Sequence, residues 1–281
     1  RSRFPSQSSC SEWLRGDLMA RQPLPAAVID LGNGFWNIRG ALKIGGVVDV
    51  GTQASLVRLA SGNFVLLDAC HFTEPIRRWV DSMTHAGEKL SAMLHLHPFH
   101  TLYVRRTHEM YPQAKLYGTR RHHERLADLP WEQARTETSE LHALFDNEFR
   151  FSIPRGVEFI SSNENVHFSS VIALHRASKT MHVDDTLIYL KLPRLVRRLK
   201  RDVLRFHPTL AKALAPYPGA AHEFRQWAEE LIDLSRDADN LCAAHTAALL
   251  NAGASGGPIS RRVARALQKV EPTLRAHEGK R

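Results

Sequence analysis

The chain has 281 residues, 43% of them hydrophobic, enough to bury one large core or two modest ones. No window approaches the roughly 18 consecutive apolar residues of a membrane span. The excess of 38 Lys and Arg over 29 Asp and Glu gives a net charge of +9, so a strongly acidic surface is excluded. Cys10, Cys70 and Cys242 are odd in number and widely spaced. That argues against a disulfide framework and for a reducing compartment, the cytoplasm first, with organellar targeting still open.

Residues 1–28 contain Ser, Arg and Pro without the apolar core of a secretory signal, and read as a loosely packing tail. From Phe35 the pattern is strand-like: Phe35 to Ile38, Gly46 to Val50, then a hairpin from Ala54 to Asp68, with glycines marking the turns. Residues 73–86 predict a helix with Thr73 as N-cap, Pro75 in the first turn, and Ile76, Trp79, Val80 and Met83 on one face. An apolar strand, Leu90 to Leu94, follows. Further strands are expected at 114–118, 149–153, 166–174 and 180–183, a short helix at 119–129, and a long helical region from about 194 to 250. Strands followed by mixed elements, more strands and then helices predict a layered αβ sandwich with two sheets inside.

The basic charge concentrates in residues 194–205 and 259–270, both read as amphipathic helices with basic faces. The second follows a flexible segment, Gly253 to Pro258. The chain thus divides into a tail (1–28), a main domain (29–252), and a linker with a basic C-terminal helix (253–281). A solvated helix face is the simpler reading of such charge; an anionic small molecule or nucleic acid is also compatible with it.

The most informative stretch is His95-Leu-His97-Pro-Phe-His100, placed where a buried strand should open into a loop. Alternate residues of a strand share a face, so His95 and His97 are expected to point the same way, with a turn bringing His100 to meet them. Neutral imidazole suits zinc, iron, nickel and copper. His122 and His123 are adjacent on a predicted helix and diverge by about 100°, so they are poor partners for one metal. His182 is a rival ligand beside Asp184. His108, His142, His167, His207, His222 and His277 show no supporting spacing. Neither a Gly-rich phosphate loop nor a Gly-x-Ser-x-Gly elbow occurs.

This cluster resembles the first metal motif, His-x-His-x-Asp-His, of the metallo-β-lactamase fold superfamily. The hairpin ending at Asp68 resembles that superfamily's opening hairpin. Val171-Ile-Ala-Leu-His175 is similar to the strand that delivers its next metal histidine. Asp184-Asp185-Thr-Leu is similar to its Gly-Asp-Thr-Leu segment, and Leu241-Cys-Ala-Ala-His245 to the strand end with its last histidine. The resemblance implies a four-layer αββα sandwich. It also implies His95, His97 and His175 on one metal, His100 and His245 on another, and Asp185 as the bridging and catalytic carboxylate.

One position departs from the motif: Phe99 stands where the superfamily has Asp. The resemblance therefore implies one tightly held zinc (or iron or manganese) per chain, on His95, His97 and His175, with a metal on His100, His245 and Asp185 held more weakly or not at all. It also implies metal-dependent hydrolysis of a small-molecule ester, thioester, amide or phosphoester. The alternative is a degenerate member that keeps the fold and serves as a binding or scaffold protein.

Overall fold

A computed structural model describes residues 22–41, 43–44, 48–49, 51–191, 202–245, 247–253 and 257–279. Cys10, most of the expected tail and the basic stretch 194–201 lie outside these residues.

The first half builds one sheet and its helices. Its elements are β1 (Val28–Asp30), β2 (Phe35–Gly40), the short ladder β3 (Lys43–Ile44) and β4 (Val48–Asp49), β5 (Thr52–Arg58) and β6 (Phe64–Leu67). Helix α1 (Glu74–Thr84), β7 (Leu90–Leu94), α2 (Val104–Met110), β8 (Lys115–Tyr117), α3 (Arg120–Arg125) and α4 (Ser139–Leu144) follow. The sheet runs β1-β2-β5-β6-β7-β8, antiparallel as far as β6 and parallel from β6 to β8. Thr73 is the N-cap of α1, although its side chain makes no capping hydrogen bond.

The second half supplies the other sheet. Its elements are β9 (Phe149–Ser152), β10 (Ile172–His175), β11 (Thr180–Val183), β12 (Leu187–Leu190), β13 (Val203–Phe206), α5 (Leu210–Ala213), α6 (Ala220–Leu234), β14 (Asn240–Ala243), β15 (Ala248–Leu249) and α7 (Ile259–Glu278). Five strands form the order β15-β14-β11-β10-β9, with β11 and β14 parallel. β12 and β13 form a separate antiparallel pair.

Strand alternation sorts the side chains into three apolar layers. Phe35, Val57, Val65, Leu67 and Leu94 face Phe149, Val171, Ala173 and Cys242 between the sheets. Ile38, Leu56, Leu66 and Met93 face outward onto Ile76, Trp79 and Val80 of α1. Ile172, Leu174, Met181 and Leu241 face Phe224, Trp227 and Leu231 of α6, and Ile259, Val263 and Ala266 of α7. The expected αββα sandwich is therefore present, and α7 closes the same core as α6.

The expected helical region from 194 to 250 holds α5 and α6, but strands interrupt it among the described residues. Val203–Phe206 is a strand, with Leu204 and Phe206 buried and Arg205 exposed, so the period there is two and not 3.6. Asn240–Ala243 is also a strand, buried at every position because both of its faces are covered. The expected strand at 166–174 shortens to β10.

Gly156 fits α6 tightly. Its φ is +69°, and a Cβ there would overlap the Ala220 carbonyl oxygen and meet Phe224 N at 2.7 Å. Left-handed strain and overpacking against rigid backbone should together make Gly156→Ala cost roughly 2–5 kcal/mol. Urea unfolding checks this; a variant as stable as the parent would show that α6 can move away.

Candidate metal centre

The site lies where three strands end together. β7 stops at Leu94, and its alternation continues for two residues: Leu96 joins the layer between the sheets, while His95 follows Met93 toward the helices. Leu96 N–H donates to Asp68 Oδ1 at 2.8 Å, tying this segment to the end of β6. A turn closed by His100 N–H on the His97 carbonyl (3.1 Å) then stacks the two imidazoles, with ring centroids 4.1 Å apart. Opposite them, β11 runs out at Val183 and presents Asp184 and Asp185. β14, parallel to β11, runs out at Ala243 and presents His245.

Asp185 is the centre of an outer cluster. One ligand atom each from His97, His100 and Asp185 lie within 4.8 Å of one another. His245 Nε2 is 2.8 Å from Asp185 Oδ1, and His97 Nε2 and His100 Nε2 are 3.3 and 3.7 Å from Oδ2. Asp185 and His97 are buried, whereas the side chains of His100 and His245 are 19% and 22% exposed and form the solvent side. His245 Nδ1–H donates to the Gly51 carbonyl at 2.8 Å, which aims Nε2 at Asp185. Arg39, clamped on the carbonyls of Ala243 and Ala244 at 2.7 and 3.1 Å, fixes the backbone that carries His245.

Charge in the cluster is settled by these contacts. Burial would push the Asp185 carboxyl up, but the imidazoles of His97, His100 and His245 outweigh it and hold the group well below its usual range. Burial likewise opposes charge on His100; Asp185, Asp184 and Asp68 overcome it and raise its pKa to about 9. His245 is raised as well, by Asp185 against burial. His97 is driven well below its usual value, by burial first and then by His100.

The residues fit a divalent metal. The His97 Nε2 atom is buried with no hydrogen-bond partner among the described residues, and it points at the carboxylate that three imidazoles share. Imidazole nitrogens around an ionised carboxylate are the donor set of zinc, iron and manganese sites. In this structure His97 Nδ1 accepts the Phe99 N–H at 3.1 Å, so ligation through Nε2 requires the proton to move to Nδ1 and that contact to break.

Two expected ligands lie elsewhere. His95 is fully buried against His122 and Trp131, with ring centroids 5.4 and 6.0 Å away. His175 sits at the closed end of the β10–β11 hairpin, its ring near Phe35 and Phe149 and its Nδ1 2.8 Å from Ser178 Oγ. Asp184 and Asp185 leave the hairpin at its open end. The residue brought to that end is His167, which carried no sequence signal by spacing alone. Its ring stacks on Phe99 at 4.5 Å and lies 6.2 Å from that of His97. Antiparallel pairing could have found it, because the end of β11 faces the approach to β10 and not the exit from it.

Behind the outer cluster lies an inner group of Asp68, His182 and Asp184, whose ligand atoms also lie within 4.8 Å of one another. His182 Nε2 is 3.0 Å from Asp68 Oδ2 and 3.8 Å from Asp184 Oδ1. Asp68 has φ +55°, a left-handed conformation that Asp tolerates better than most residues. Burial, with Asp68 beside it, pushes Asp184 up to about 7.

Solved structures share this architecture. The DIM-1 metallo-β-lactamase matches at 13% identity over 87% of this chain and 96% of that one, with a TM-score of 0.55. A metallo-β-lactamase from Erythrobacter litoralis matches at 14% over 89% and 98%, with a TM-score of 0.56. One from Pontibacter korlensis matches at 11% over 88% and 98%, with a TM-score of 0.51. No family model and no curated protein sequence matches. At such identities the likeness speaks for the fold.

Buried histidines set the pH dependence of the metal-free protein. His95, His175 and His182 are pushed by burial to about 3, 4 and 4, so below about pH 6.5 the unfolded chain takes up protons that the folded chain does not. Stability therefore rises with pH across the acid range; Asp68 and Asp184, raised by burial, oppose this but are outnumbered. His100 keeps its proton to about 9, so its contribution fades as pH climbs from 6.5 to 9. The urea midpoint should peak at about pH 6.5. A midpoint still climbing between pH 7 and 9 would contradict the charge assignment of His100.

Proposed function

We propose that this chain, which has the metallo-β-lactamase fold, is a metal-dependent hydrolase-like protein with one tightly held metal in the cluster of His97, His100, Asp185 and His245. The observation that carries this reading is the single ionised carboxylate ringed by three imidazoles at a solvent-reaching edge of the sandwich. Zinc is the first candidate, with iron or manganese as alternatives. When bound, the metal would supply Lewis acidity and a water of lowered pKa.

The chain's own residues do the positioning. Asp185 collects the three imidazoles on one carboxylate, and the Gly51 carbonyl holds the His245 tautomer that leaves Nε2 toward the site. Phe99, packed between His167 and Arg121, whose guanidinium carbon is 4.4 Å from the ring centroid, forms an apolar and cationic wall. Arg121 is itself paired with Glu164. A small-molecule substrate fits such a site, and an anionic one would complement Arg121. The exposed stripe of Arg261, Arg265 and Lys269 on α7 gives nucleic acid a weaker claim. The buried free thiols Cys70 and Cys242 accord with a reducing compartment such as the cytoplasm. Among the described residues no helix is long and apolar enough to cross a membrane.

A second reading, a binding or scaffold protein without turnover, is favoured by Phe99. No carboxylate on the 95–100 loop is available to orient or deprotonate water, so generic hydrolysis should be slow. Metal titration separates the readings. Asp185→Asn should weaken zinc binding at least about tenfold, and Phe99→Asp should strengthen it by adding an anionic donor. Unchanged affinity in Asp185→Asn would remove the cluster as a metal site. Tight metal without chelator-sensitive turnover of esters, thioesters or phosphoesters would favour the second reading.

A further inference from the structure

The outer cluster leaves the inner group unexplained. Asp68, His182 and Asp184 come from the end of β6, the middle of β11 and the residue just past it, and none is more than 1% exposed. Two carboxylates at this depth carry a large desolvation cost unless donors or a cation answer them. Asp68 is answered, by the Leu96 N–H at 2.8 Å and by His182 Nε2 at 3.0 Å. Asp184 is not. Neither of its oxygens has a hydrogen-bond partner among the described residues, and the imidazole nitrogens beside it stand off, His100 Nδ1 at 3.7 Å and His182 Nε2 at 3.8 Å.

His182 is held as a ligand would be. Its Nδ1 lies 3.0 Å from Ser55 Oγ, so the proton that Nε2 gives to Asp68 in this structure can move to Nδ1 and be donated to Ser55 Oγ when a cation takes Nε2. Metal-binding imidazoles are oriented in this way. Asn37 Nδ2 donates to Ser55 Oγ at 3.1 Å and to Gln53 Oε1 at 3.0 Å, and Gln53 Nε2 donates to the Val183 carbonyl at 2.8 Å. These buried polar residues replace what would otherwise be apolar packing between the sheets, and together they frame one imidazole.

We propose that Asp68, His182 and Asp184 form a second cation site, for a divalent first-row metal such as Mn2+, Fe2+ or Zn2+, standing behind the outer cluster. Two carboxylates and one imidazole suit these ions and not a soft monovalent one. The site takes nothing from position 99, so the loss of the motif carboxylate there does not disable it. His100 joins the two groups, with Nδ1 toward Asp184 and Nε2 toward Asp185. The inference stands on the inner group's own geometry and does not require a metal in the outer cluster.

Metal counting on the full chain tests it. The protein is stripped with a chelator and re-equilibrated with Mn2+ or Co2+; bound metal is then measured by elemental analysis, and folding by circular dichroism. Two equivalents are expected in the parent, one in Asp184→Asn, one in His245→Ala and none in the double variant. Asp184→Asn retaining two equivalents, or a parent holding one that only His245→Ala removes, overturns the inner site. A parent holding one that only Asp184→Asn removes supports the inner site and overturns the outer one. Should Asp184→Asn not fold, Ser55→Ala removes only the partner of His182. It should weaken one equivalent at least about tenfold, and unaltered binding of both would overturn the proposal.

Discussion

Burying a carboxylate between two sheets is costly unless positive charge or hydrogen-bond donors come with it, and this chain buries three together. Asp68, Asp184 and Asp185 are at most 3% exposed. Much of the polar architecture around them is an answer to that constraint. Three imidazoles surround Asp185, a backbone N–H and His182 meet Asp68, and His100 reaches toward both Asp184 and Asp185. The polar face of the inter-sheet layer, with Asn37, Gln53, Ser55 and Arg39, continues the same accommodation away from the site.

Charge is thereby moved from the loop to the sheet. In the motif that the 95–100 segment resembles, a carboxylate precedes the last histidine; here Phe99 occupies that position and stacks on His167 under Arg121. Asp184, where the resembled segment has Gly, brings a carboxylate from the opposite wall. The rim beside Phe99 is apolar, with Arg121 paired to Glu164, while the interior carries the buried carboxylates.

Some of this is legible in the sequence alone. The 3.6 period of α1, the apolar run of β7 and the hairpin ending at Asp68 each follow from local pattern, because one face or both faces of those elements meet a core. The 194–250 region misled because clustered Arg and Leu resemble an amphipathic helix. The alternation of Leu204, Arg205 and Phe206 was the better guide there. His175 and His167 show a different failure. Both flank the same strand, and spacing along the chain cannot say which end of a hairpin faces the site.

The sequence by itself determined the two-sheet sandwich and the presence of imidazoles and carboxylates near strand ends. Hydrophobic period and motif order are local or sequential properties, and they survive in one dimension. Only the tertiary structure decided that His95 turns toward α3, that His175 lies at the far end of its hairpin, and that Asp184 and His182 close around Asp68. Those outcomes depend on strand direction, on register across a parallel pair, and on a turn that rotates one imidazole by a face relative to its neighbour. A residue's chemistry is written in its side chain, but its partner is set by which strand ends arrive at the same edge.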